Sequence, residues 1–139
     1  MKAIDSLIRL HRWHLDEKRR NLADLERMKE DFERQVLHLD AEIAAEQAIA
    51  SEDVARLAYG PYAEAVVLRR TKLVQSIADL TAQVVTARDE VAEAFQEIKK
   101  FEILQEQRER RTREWQLRRD QAVQDEVAIQ RHQRRQGAD

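Results

Sequence analysis

Helix breakers are almost missing from this chain, and the two strongest stand side by side at Gly60 and Pro61, the latter the only proline. Glycine can take the positive φ that closes a helix, while a proline in the first turn of a helix lacks an N–H that this turn does not use. The stretch Ala58-Tyr59-Gly60-Pro61-Tyr62 therefore predicts the end of one helix and the start of another. The expected elements are a helix over about 3–58, a turn at 59–61 and a second helix over about 61–135. Everything else becomes two arms, and the fold depends on whether the arms match.

Composition favours long solvated helices over a globule. Of the 139 residues 37% are charged, and only 5% are aromatic, which allows a thin apolar seam rather than a thick core. With no cysteine, neither a disulfide framework nor a thiolate metal site can form, and a reducing compartment is permitted. No apolar run is long enough to span a bilayer, and Asp5 and Arg9 interrupt the apolar N-terminal stretch, unlike a signal peptide. A soluble, cytoplasmic chain is expected. Its net charge of -2 is unevenly spread. Residues 1–20 and 105–119 are each basic on balance, the remainder is acidic, and a folded-back chain would bring the two basic segments together at its open end.

Each arm carries a seven-residue repeat. In the first, Ile8, Leu15, Leu22, Lys29, Val36, Ile43, Ala50 and Leu57 take one position, and Ile4, His11, Lys18, Leu25, Phe32, Leu39, Glu46 and Asp53 its companion. In the second, Ile77, Val84, Val91, Ile98, Gln105 and Thr112 alternate with Val66, Leu73, Leu80, Ala87, Ala94, Phe101, Arg108 and Trp115. Periodicity of this length specifies a left-handed coiled coil. The expected fold is all-α, two long helices in one antiparallel coiled-coil hairpin. Placing its centre between Pro61 and Tyr62 sets Ile43 against Leu80, Leu39 against Val84, Phe32 against Val91, Leu25 against Ile98 and Leu22 against Phe101. Toward the open end the same register gives polar layers, Lys18 with Gln105, Leu15 with Arg108 and His11 with Thr112, before Ile8 meets Trp115. Roughly the last 17 residues would then extend beyond the first helix. One competing signal lies upstream, where Ser51-Glu52-Asp53 resembles a helix N-cap with acids in the first turn, a place for the first helix to kink or restart.

No residue pattern supports catalysis. His11 and His14 are three apart, but Asp16 and Glu17 face elsewhere, and both histidines read as seam and surface residues rather than metal ligands. There is no Ser-His-Asp, Cys-His or glycine-rich phosphate motif, and a two-helix hairpin offers no pocket to perturb a pKa. A non-enzyme without cofactor or metal is expected. Outward apolar groups are the more informative feature. Leu10 and Trp13 on the first helix, with Ile103 and Leu117 on the second, fall outside the seam in the basic half and form either ordinary surface apolars or a partner surface. Tyr59, Tyr62, Val67 and Leu68 cluster near the turn, where turn packing and partner contact are both open. The run Arg108-Glu109-Arg110-Arg111-Thr112-Arg113 reads as a salt-bridged solvated face rather than a nucleic-acid site.

These elements together resemble the FliJ family of flagellar export proteins. The resemblance rests on the opening Leu7-Ile8-Arg9-Leu10-His11-Arg12, on Phe101-Glu102-Ile103-Leu104-Gln105-Glu106-Gln107-Arg108, and on Asp125-Glu126-Val127-Ala128 near the C-terminus. It implies a central stalk of the flagellar type III export ATPase. The terminal end of the hairpin would enter the pore of a hexameric ATPase, another part would contact the cytoplasmic domain of the membrane export gate, and export chaperones are further partners. Membrane association would be peripheral, through partners, at the inner face of the cell membrane. On this reading Leu10, Trp13, Arg110, Arg113 and Leu117 form the ATPase-contact end, and Tyr59, Tyr62, Val67 and Leu68 the gate contact. The alternative is a scaffolding coiled coil that self-associates through the extension of the second helix, where Ala122 and Ile129 continue the seam positions.

Overall fold

A computed structural model describes the backbone of residues 2–49 and 56–137, with side chains from residues 3–49 and 60–137. Every described residue is helical. Helix α1 spans Lys2–Ile49 and α2 spans Arg56–Gly137, and the two pack antiparallel as an all-α helical hairpin. Between Lys2 and Ile49 there is neither glycine nor proline, so nothing interrupts the hydrogen-bond ladder of α1.

Tyr59, Gly60 and Pro61, expected as the turn, are helical and belong to α2. Among the described residues no glycine has positive φ and no peptide bond is cis. Pro61 is the sixth residue of α2; its ring fixes φ at a helical value, but the N–H it lacks would have bonded the carbonyl of Leu57, so one bond of the ladder is missing there. Ser51-Glu52-Asp53 lies outside the described residues, but the end of α1 and the start of α2 bracket it.

The chain forms two compact units, one of Met1–Leu10 with Gln96–Asp139 and one of His11–Phe95. In the second unit Leu15, Leu39, Val66, Leu80, Val84 and Ala87 are buried, and in the first Ile8 and Ile98. All eight occupy seam positions of the heptad repeats. The seam is thin, as the composition requires: even Leu39, among the deepest, keeps 3% of its surface, and among the described residues no side chain is completely enclosed.

The face is the expected one, but the register is not. Lys18, expected opposite Gln105, instead gives its Nζ to Glu90 at 3.1 Å, while Gln105 Nε2 donates to Asp5. Asp40 accepts from Arg70 Nε at 2.7 Å and from a second guanidinium nitrogen at 3.5 Å, and Arg88 donates to Glu26 at 3.3 Å. Leu25, expected against Ile98, lines a shallow groove with Ala82, Gln83, Thr86 and Ala87. The helices are thus displaced by about two heptads from the expected alignment. A slide by whole heptads returns every seam residue to the seam, so periodicity fixes the face and leaves register to the position of the turn.

That displacement lengthens the free part of α2. Every residue from Glu106 to Gly137 is exposed, against the 17 or so expected. Trp115, expected to cover Ile8, is 57% exposed while Ile8 is buried without it. Arg108 and Thr112 are likewise solvent-facing rather than seam layers. The basic segment 105–119 therefore continues past the level of the Asp5–Gln105 pair instead of lying beside the basic start of α1.

Candidate functional site

With no enclosed site, the candidate surfaces are what the paired faces leave outside. On α1, Leu10 and Trp13 are about half exposed, being one helical turn apart and off the seam. The Trp13 ring meets His14 edge-on at 5.2 Å between centroids, and His14 in turn lies 6.3 Å from His11. Among the described residues no group of three or more His, Asp or Glu could hold a metal ion.

On α2, Arg110 faces Glu106 one turn earlier at 3.6 Å, Arg113 is exposed, and Leu117 is among the most exposed apolar residues of the chain. These do not share a patch with Leu10. Because Asp5 pairs with Gln105, Leu10 is level with about residue 100 of α2, so Leu117 stands roughly 25 Å further along the axis at 1.5 Å per residue. Trp13 belongs to the other compact unit. The five residues expected to form one ATPase-contact end are all exposed, yet Arg110, Arg113 and Leu117 sit alone on the free part of α2. Two exposed residues next to them were assigned to the seam by periodicity: Trp115, with the Arg119 guanidinium 5.4 Å over its ring, and Arg108.

Near the start of α2, Val67 and Leu68 are exposed and line an apolar groove with Ala63, Glu64 and Thr71. Tyr62 is half-buried, and the Tyr59 side chain lies outside the described residues. Val67 also opens a longer feature not anticipated from the sequence. Val67, Thr71, Val74, Ala78, Thr81 and Val85 are all exposed and follow a 4-3-4-3-4 spacing, a second heptad stripe rotated about 100° from the seam. Thr71 and Thr81 donate their hydroxyls to the carbonyls of Val67 and Ile77, at 2.9 and 2.7 Å, which leaves their methyl groups as the outward surface. On α1, Leu37, Ala41, Ala44 and Ala48 form a similar exposed, charge-free row. The available signal was the missing charge: stripes of this length without Asp, Glu, Lys or Arg are unusual in a chain that is 37% charged.

Electrostatics adds fixed pairs but no reactive group. Hydrogen bonding and attraction to Asp40 raise the Arg70 pKa above its ordinary value. No described helix is long and apolar enough to cross a membrane.

The class these features define is an all-α helical hairpin with outward apolar stripes and a second helix that runs on exposed. The family model described as "FliJ: Flagellar FliJ protein" matches residues 1–137, and the chain belongs to the FliJ family. It is accordingly a component associated with flagellar protein export, from a family that is not catalytic. No curated protein and no solved structure gives a significant match.

Proposed function

We propose that this protein is the non-enzymatic coupling stalk of a flagellar type III export apparatus. Its terminal end inserts into the pore of the hexameric export ATPase, the opposite half of the hairpin touches the cytoplasmic domain of the membrane export gate, and export chaperones are escorted to the same assembly. The protein acts in the cytoplasm, peripheral to the membrane through its partners. The observation that carries this reading is the family match over residues 1–137 on a hairpin whose second helix runs on exposed from Glu106 to Gly137. A ring pore can enclose a single helix, desolvating Leu117 and Trp115 and offering carboxylates or carbonyls to Arg110 and Arg113. Apolar anchors and arginines of this kind dominate interface energetics. Leu10 and Trp13 form the α1 portion of the contact. The gate contact is assigned to Tyr59, Tyr62, Val67 and Leu68, and the charge-free stripe continuing from Val67 to Val85 extends it.

Mixing the purified protein with the export ATPase tests the reading. Stimulated hydrolysis or ring formation is the expected result, and no effect at stoichiometric excess overturns it. In Trp13→Ala combined with Arg113→Glu, helicity and melting temperature should stay nearly unchanged while stimulation is lost, because both side chains are exposed. Tyr62 and Leu68 substitutions should spare ATPase stimulation and impair export.

A further inference from the structure

The charge-free stripe on α2 reads the same from either end. Outward from Ser76 it runs through Val74 and Ala78, Thr71 and Thr81, then Val67 and Val85, and the next residues in the same spacing are Glu64 and Arg88, of opposite sign. The members of each pair are equally distant from residue 76. Val67, Val74 and Val85 are 58%, 44% and 53% exposed, and Leu68, Gln75 and Ala82, which run beside the stripe, are exposed and uncharged too. This order suits an antiparallel copy of the same helix, because residues i and j then exchange places about a two-fold axis. A parallel copy sets Glu64 against Glu64 and Arg88 against Arg88.

We propose that α2 pairs antiparallel with α2 of a second copy of this chain along residues 64–88, about a two-fold axis level with Ser76. Val74 packs on Ala78 of the other copy beside the axis, a large residue against a small one. Thr71 meets Thr81 of the other copy methyl to methyl, because the hydroxyls of both already donate within their own helices. Val67 covers Val85 of the other copy, and Glu64 closes each end on Arg88 of the other copy. Arg88 gives one guanidinium nitrogen to Glu26 at 3.3 Å, and the five N–H groups of the fork serve two carboxylates. The stripe stands about 100° from the seam, so α1 flanks the pairing without entering it. The nearby α1 carboxylates Glu26, Glu33 and Asp40 are paired within the hairpin, with Arg88, Lys29 and Arg70. The inference rests on the order of side chains on α2 and is independent of the stalk reading; a second copy and a gate domain on this stripe exclude each other.

Sedimentation equilibrium on the full chain over a range of protein concentrations tests it, and a monomer–dimer equilibrium is expected. Val74→Glu, which sets a charge beside the axis in both copies, should abolish the dimer. Glu64→Arg alone and Arg88→Glu alone should each weaken it about tenfold, since each change is felt twice per dimer, and the double variant should restore it. A single nitroxide at Gln75 reports only distances between copies, and a short one is expected because position 75 lies next to the axis. A chain that stays monomeric at every concentration overturns the proposal. A dimer that survives Val74→Glu, that the double charge reversal fails to restore, or that holds the two labels far apart overturns it as well. Circular dichroism separates each result from unfolding, and these readouts need no ATPase, so they stand apart from the tests of the stalk reading.

Discussion

Leu37 and Leu39 show how position on the helix, rather than residue type, sets the worth of a side chain. Leu39 keeps 3% of its surface and Leu37 keeps 68%, although only His38 separates them. Truncating a buried leucine loses both its transfer energy and the packing around it, typically about 2–5 kcal/mol, whereas an exposed position usually changes stability by less than about 0.5 kcal/mol. Urea denaturation of Leu39→Ala and Leu37→Ala should show this gap, and equal midpoints would place the seam elsewhere. Gly60 gives a sharper test because its two readings have opposite signs. In a turn with positive φ, alanine is strained. In the helix observed, with ordinary φ and nothing within 4 Å of an added Cβ, Gly60→Ala should stabilise by about 0.5–1 kcal/mol, read as a higher melting temperature.

At the scale of the elements, the question is how two heptad-bearing helices choose one alignment. The cross-helix ion pairs lie in solvent, with Arg70 and Asp40 side chains about 45% and 44% exposed. Such solvent-exposed pairs are screened and weak, so they report the register more than they impose it. Sliding by a heptad changes the order of large and small side chains across the seam, and that packing decides. The observed slide brings Leu25 beside Ala87, a large residue against a small one. Spin labels at positions 40 and 70 should give a short distance. In the alignment centred on Pro61 the two positions would be offset by about 20 Å along the axis at 1.5 Å per residue, so the measurement chooses between the registers directly.

Taken as one molecule, the chain divides its stability unevenly, because burial stops at Gln105 while α2 continues to Gly137. Isolated helices are marginal in water, and most helical stability in proteins comes from a packed apolar face. Amide exchange from Glu106 to Gly137 should therefore be far faster than around Leu39 or Val84, and binding to the ATPase should slow it selectively; uniform protection along α2 would contradict this division. The sequence alone determined the all-α class, the hairpin, the seam face that all eight buried residues occupy, and the family, because each is written in local periodicity or in short motifs. Its other candidate break, Ser51-Glu52-Asp53, lies outside the described residues. Where the chain reverses, which residues meet across the seam and how much of α2 is left exposed were decided only by tertiary structure. Heptads repeat, so every whole-heptad slide satisfies the pattern equally, and Pro61 takes one bond out of α2 without ending it; the packing of particular large side chains against particular small ones removes the degeneracy.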